Sequence, residues 1–451
     1  MQRISVRLRQ AVLASAVLSI GAGSGRARSK ITQPGYGVDL VMESEIPGDG
    51  AAQSETRPAR WKWNGKAEFS RPGDIDFETA WREQVEVEAA LDSAAGERKS
   101  RGQESTLRET GRRWLAVNLQ TGEEYEIELP LSFLRQVAMR GKAAGWDRGS
   151  EGPKVLKRGG RFVESGDAAG PVLGDLPEKP LGWSDGDDTR TRRFDNTVYP
   201  YRAMGQIGGG TLSGCSGTLV GRRHVLTAAH CLWNVKTNSW STATGFRFRP
   251  GREGTGNNAS CEPYGEYTAI WFFTPVEFRE TESFTYDYGI AVTSGFPGNL
   301  TGWLGYVGIS QALTNDYCDM VPFGPGYLGG SCINRGYPAC GFVENASLSG
   351  NNCQQGWAYQ DVWPCEVGSF SNTGPDGWKS IFKTNCDLGR GHSGSAVFIN
   401  NYNGNGKVVI GVTSFQNCAT CPDGNDFPNG IRRVTPDILD WISYFKTVKF
   451  P

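Results

Sequence analysis

The chain has 451 residues, enough for about three folding units. Hydrophobic residues make up 38% and charged residues 21%, as in ordinary globular proteins, and the formal net charge is −1. With no basic stripe to meet a phosphate backbone, nucleic acid is not an expected partner.

The first residues, MQRISVRLRQ, are basic, and AVLASAVLSIGAG follows, with small residues from Ala22 to Ala27. This pattern predicts a secretory signal peptide over residues 1–27, the competing reading being a buried helix. No later run approaches the roughly 18–20 apolar residues of a membrane span, so no membrane partner is expected.

Residues 28–180 are charged and free of cysteine. Glu78–Leu91 carries a weak helical pattern. Trp114-Leu-Ala-Val-Asn-Leu, then Gln-Thr-Gly, then Glu-Glu-Tyr-Glu-Ile-Glu-Leu predicts a hairpin about a glycine turn. Flanks rich in proline, glycine and charge read as linkers.

Beyond residue 197 the texture changes. Short apolar runs alternate with Gly, Asn and Pro turns at 202–207, 217–227, 246–248, 289–292, 396–400 and 408–414. Many short strands at near-regular spacing predict an all-β barrel or sandwich. High counts of glycine (61) and tryptophan (14) favour the same class. One helix is predicted, Pro436–Lys446, with Ile438, Leu439, Trp441, Ile442 and Phe445 on one face.

All eleven cysteines lie between Cys215 and Cys421, a density that fits an oxidising compartment and a disulfide framework. An odd count leaves one thiol free or paired with another chain. Cys418 and Cys421 form a lone CxxC and read as bridge ends, so no metal site is expected. Sequons at Asn258, Asn299 and Asn345 are consistent with a secreted glycoprotein.

Two stretches carry chemistry. Residues 215–231 read CSGTLVGRRHVLTAAHC, and residues 389–398 read GRGHSGSAVF. Cys215 and Cys231 bracket two neighbouring strands. A bridge between them would contribute about 3 kcal/mol by loop entropy and fix the loop bearing His230. Ser393 lies between Gly391 and Gly394, where a sharp turn is permitted. The N–H groups of Gly391 and Ser393 can converge on an oxyanion, and one such donor is worth about 2.7–4 kcal/mol in a transition state.

A serine nucleophile needs a base, and the chain has three histidines. His392 adjoins Ser393, and neighbouring side chains diverge. His224 follows Arg222 and Arg223 and reads as part of a solvated turn. His230 remains. Tyr286-Asp287-Tyr288-Gly289-Ile290-Ala291-Val292 places Asp287 at the start of an apolar strand, where a buried carboxylate can accept from a histidine Nδ1–H. Asp316 and Asp361 compete for that role but lead into no comparable run.

TAAHC, DYGIAV and GHSGSAV, in the order His230, Asp287, Ser393, resemble the chymotrypsin/trypsin family of serine peptidases. NTVYPYRA at 196–203, together with the Gly-Ser-Ala after Ser393, is similar to the bacterial glutamyl endopeptidase (V8-like) branch. The resemblance covers roughly residues 181–451. It implies two six-stranded antiparallel β-barrels of chymotrypsin type with a C-terminal helix and the site between the barrels. Ser414, Phe415 and Gln416 would pair with the substrate backbone. It also implies a secreted serine endopeptidase made as a zymogen, monomeric, needing no cofactor, acting on polypeptides and open to protein inhibitors.

Residues 28–193 would then be a propeptide, α+β or partly disordered, ahead of a peptidase domain at 194–451. The dibasic run Arg190-Thr191-Arg192-Arg193 marks one end for it, and a cut near Leu181 is the alternative. Three departures stand out. His392 occupies the place of the trypsin activation aspartate. Thr413 occupies the place where glutamyl endopeptidases carry a pocket histidine. Asp387 stands six residues before Ser393, the spacing of the selector for basic residues. A binding protein on the same fold and an esterase are the rival functions.

Overall fold

The computed structural model describes residues 28–31, 40–43, 60–69, 112–130, 189–208, 214–241 and 245–318, and, with interruptions, 332–450. Contacts divide the chain into two units, 1–56 and 57–451. In the first, Arg28–Ile31 pairs antiparallel with Leu40–Glu43. The signal-peptide segment, the Glu78–Leu91 pattern, the sequon at Asn345 and Cys418 with Cys421 lie outside the described residues.

The second unit contains β1 (Arg60–Lys66), β2 (Arg112–Asn118), β3 (Glu123–Leu129), β4 (Arg190–Arg192), β5 (Met204–Ile207), β6 (Cys215–Leu219), β7 (His224–Thr227), β8 (Arg247–Pro250), β9 (Tyr267–Pro275) and β10 (Gly289–Thr293). These are followed by β11 (Cys332–Gly336), β12 (Tyr359–Asp361), β13 (Val367–Thr373), β14 (Lys379–Thr384), β15 (Ala396–Tyr402), β16 (Gly406–Gln416), β17 (Asn429–Arg433) and the helix α1 (Pro436–Tyr444).

The expected all-β class is present. Six strands close a first barrel in the order β8-β5-β6-β7-β10-β9, with β8 and β9 completing the ring. A second sheet runs β13-β14-β17-β16-β15-β11-β12-β4 and, among the described residues, forms a half-barrel. The expected run at 217–227 is two strands, β6 and β7, separated by a turn at 220–223.

The predicted hairpin is also present. β2 and β3 pair from Arg112↔Leu129 to Asn118↔Glu123. Gly122 sits at φ +71° in the turn, a conformation glycine adopts without the cost of a Cβ. Trp114, Leu115, Ala116 and Val117 are all buried. β2 is paired on one edge with β3 and on the other with β9, Trp114 to Asn118 being in register with Pro275 back to Trp271, and its side chains pack into the core shared by the first barrel and α1. A continuous apolar run is the pattern of a strand covered on both faces. Each of Trp114, Leu115, Val117, Ile127 and Leu129 contributes about 1.5–3 kcal/mol through burial.

α1 begins with Pro436 after Thr435 and continues into a π-helical turn at Phe445–Lys449. Proline at the first helical position lacks only an N–H that would have had no partner. Ile438, Trp441, Ile442 and Phe445 are buried as predicted, while Leu439 is only partly buried. The core cluster they join spans the first barrel, β2, β3 and part of β15 and β16, while a smaller core lies within the half-barrel.

His224 does not lie in a solvated turn. It opens β7, pairs across to Val292 of β10 and is 2% exposed. Arg222 and Arg223 occupy the preceding turn, with Arg223 Nη2 donating to Thr293 O at 2.8 Å. Burial, with Lys446 and Arg223 nearby, pushes the His224 pKa down to about 3. An unfolded chain binds a proton near pH 6.5 that the folded chain refuses. Stability is therefore whole above that pH and declines as the pH falls towards 3. His224→Gln should flatten this decline in thermal midpoints recorded from pH 7 to pH 3. Parallel curves for the variant and the parent would show that His224 carries no such linkage.

Candidate active site

His230 lies in a short 3-10 turn, Ala229–Cys231, directly after β7. Asp287 ends another 3-10 turn, Phe284–Tyr286, and leads into β10. β7 and β10 are neighbours, with Thr227 opposite Gly289, so the two turns leave the same end of the barrel. The Asp287 carboxylate is fully buried. Its Oδ2 is 2.8 Å from His230 Nδ1 and its Oδ1 accepts the His230 backbone N–H at 3.0 Å. The second sheet supplies a third donor, Ser414 Oγ, at 2.5 Å from Oδ2.

The residues around Asp287 are anchored in turn. Tyr288 donates its hydroxyl to Asp437 Oδ2 at 3.2 Å, and the Arg432 guanidinium lies 4.7 Å from the Tyr288 ring centroid. Arg432 also donates to Thr285 O. The competing acids are elsewhere. Asp361 is on β12 in the half-barrel and Asp316 is in the helix Gln311–Cys318.

Ser393 is held in its turn from the first barrel. Ser216 N–H donates to Ser393 O at 2.7 Å, and Ser216 Oγ donates to Gly391 O at 2.7 Å. Cys215 and Cys231 are bridged, and Cys231 Sγ lies 3.7 Å from Ser393 O, which sets the Ser393 turn beside the residue that follows His230. Gly391 and Gly394 have φ of +94° and +81°. A Cβ at Gly394 would lie 2.1 Å from Thr227 Oγ1, so the turn approaches β7 as closely as glycine permits.

Within the turn, His392 N–H donates to Gly389 O, Gly394 N–H to Thr413 O and Ser395 N–H to His392 O. Among the described residues the N–H groups of Gly391 and Ser393 donate to no acceptor, as donors for a developing oxyanion must.

His392 is 1% exposed and does not face the serine. Its Nδ1 is 3.3 Å from Asn334 Oδ1. Asn334 Nδ2 donates at 2.9 Å to both Ser395 Oγ and Thr413 Oγ1, and those two hydroxyls are 2.9 Å apart. Burial, reinforced by Arg190, holds the His392 pKa well below its ordinary value, so the ring is neutral. Thr413 therefore joins a buried polar network. A Cβ on Gly336 would meet the His392 ring at 2.7 Å, so β11 must carry glycine there.

Asp387 accepts from the backbone N–H of Thr189 at 2.7 Å and from its hydroxyl at 3.0 Å, and its own N–H donates to Asp361 Oδ2 at 2.9 Å. The next residues, Arg190–Arg192, form β4 against β12. The Phe415 ring is buried and stacks on Phe284 at 4.2 Å. It fills the space that a side chain at residue 430 would need. Ser414 to Gln416 are flanked by β17 on one side. Among the described residues the β15 ladder ends at Val412, and Thr413 N–H donates beyond it to Ser395 O.

Ser216, Asn334 and Ser395 carried no signal in the sequence, because a buried serine or asparagine is identified only by its partners. Besides Cys215–Cys231, bridges join Cys318–Cys332, Cys340–Cys353 and Cys365–Cys386, and Cys261 has none. Among the described residues two clusters have the composition of metal ligands, Cys215-His230-Cys231 and Asp361-Cys365-Cys386. In both, the cysteines are joined as disulfides and offer no thiolate.

The Trypsin family profile matches residues 188–266. The extracellular metalloprotease of Bacillus subtilis (strain 168) is 36% identical over 147 residues, 30% of this chain and 44% of that one. The glutamyl endopeptidase of Bacillus licheniformis is 37% identical over 122 residues, 27% of this chain and 35% of that one. The chain thus spans less than half the length of these curated relatives. A solved structure of a Glu endopeptidase in complex with MPD is similar at TM-score 0.41 and 23% identity, covering 58% of this chain and 99% of that one.

Replacing Gly394 with alanine should lower the urea midpoint of unfolding, since the new Cβ meets backbone and hydroxyl at a positive φ. An unchanged midpoint would mean that the turn relaxes freely.

Proposed function

We propose that this chain is a trypsin-like serine peptidase, similar over part of its length to a glutamyl endopeptidase, and that it is a secreted endopeptidase made as a zymogen. Ser393 Oγ attacks the scissile carbonyl. His230 takes the proton through Nε2 and returns it to the leaving amine. Asp287 holds the ring by Nδ1 and stabilises the imidazolium that forms. The Gly391 and Ser393 N–H groups bind the oxyanion, and water then hydrolyses the acyl-enzyme by the same route. The observation that carries the reading is the buried Asp287 carboxylate, 2.8 Å from His230 Nδ1, with the residue after His230 bridged to Cys215, whose neighbour Ser216 donates to Ser393 O.

Substrate adds as a strand along Ser414–Gln416. Asp387 is already occupied by Thr189, and Thr413 by Asn334 and Ser395, so the side-chain preference of the pocket is a matter for a peptide-library profile. Residues 190–192 are a strand of the second sheet, and the family match begins at residue 188. Both favour a maturation cut near Leu181 over one after Arg193.

Ser393→Ala or His230→Ala should lower kcat by on the order of 10⁴–10⁶, since these groups act as a unit. A fluorophosphonate probe should label the parent at Ser393 and leave Ser393→Ala unlabelled. Peptide hydrolysis near the parental rate in either variant would overturn the assignment. Absent labelling of processed protein would favour a binding protein on this fold.

A further inference from the structure

A propeptide that is discarded on activation should touch the enzyme through surfaces that tolerate water. The described residues 60–69 and 112–129 do not fit that description. β2 is annealed to β9 over five consecutive residue pairs, on the flank of the closed barrel. Trp114 is 1% exposed, with its ring centroid 4.9 Å from that of Trp441, 5.4 Å from Phe445 and 5.5 Å from Tyr288. The side chain therefore packs against the C-terminal helix and against the residue that follows Asp287.

The contact also has polar specificity. Glu124, 8% exposed, accepts from Trp240 Nε1 at 2.7 Å and from Arg279 Nη1 at 3.0 Å, the first on a strand outside the barrel ring and the second on the short helix after β9. Removing the hairpin would leave an indole N–H in the core without its acceptor. Trp240 N–H additionally donates to Glu68 O at 2.9 Å, and Leu119 N–H to Ile270 O at 3.0 Å. On β1, the Trp61 ring meets that of Trp271 at 5.8 Å and lies under Lys449 Nζ at 3.9 Å.

We propose that residues 60–129 are a permanent subunit of the working enzyme. After the chain is cut between residues 130 and 189, this segment stays on the first barrel as a second, non-covalently held chain. The partner that this face of the barrel fits is the protein's own processed N-terminal piece. The proposal rests on the zymogen reading above, because only a cut chain has a piece to retain.

The test uses the full chain carrying Ser393→Ala, which cannot process itself. An added protease nicks it between residues 130 and 189, the position being fixed by mass spectrometry, and the product is run on size exclusion in native buffer. The expected result is one peak holding both pieces in equal amounts, parting only in denaturant. Elution of the pieces in separate native peaks would overturn the proposal. In the same nicked chain, Val117→Asp places a charge at a fully buried position and should lower the urea concentration at which the pieces part. No change would show that β2 is not what holds them. Whether the parent chain cuts itself is read separately, by N-terminal sequencing of active protein. Failure of the zymogen reading would thus appear there and not in the co-elution.

Discussion

A carboxylate cut off from water must find donors within the protein, and Asp287 finds three from two sheets. His230 supplies its backbone N–H and Nδ1, and Ser414 supplies a hydroxyl from the half-barrel. An unmet charge in such a place is strongly destabilising, so each donor is held as firmly as the acid. The two sheets are thereby fixed against each other at the point where the candidate chemistry takes place. Neighbouring anchors make sense in this light, since Arg432, Tyr288 and Asp437 immobilise the residues on either side of that acid.

Ser216 makes a second tie in the same place. It bonds through both N–H and hydroxyl to the turn containing Ser393, so the first barrel shapes a loop belonging to the second sheet. Where trypsin-type enzymes carry a charged aspartate before the serine, this chain buries a neutral His392 against Asn334. A charged group there would need a counter-ion, whereas a neutral one needs only hydrogen-bond partners.

Much of this was legible in the sequence. Fold class, the C-terminal helix and the β2–β3 hairpin follow from apolar period and turn glycines, which are local signals. His230, Asp287 and Ser393 are each flagged by a short motif with its own physical logic. Other features depend on contacts far along the chain. The two arginines before His224 suggested solvent, yet the histidine itself is covered by β10 and lies near Lys446. The hairpin was visible, but its docking on β9 was not, because strand pairing across such a separation leaves no mark on either segment. Asp387 and Thr413 were read from spacing, which says nothing about Thr189 or Asn334 occupying them.

The β2–β9 pairing also has a consequence for how the chain folds. During synthesis the hairpin leaves the ribosome well before β9, and N-terminal parts generally fold first. A hairpin formed by local contacts at that stage would leave the outer edge of β2 with unpaired N–H and C=O groups. The arriving barrel strand meets a prepared template and need not find its register unaided. Until it arrives, that edge is the kind of surface on which chains pair wrongly. The same strand that directs assembly is thus the place where a stalled or truncated chain would begin to aggregate.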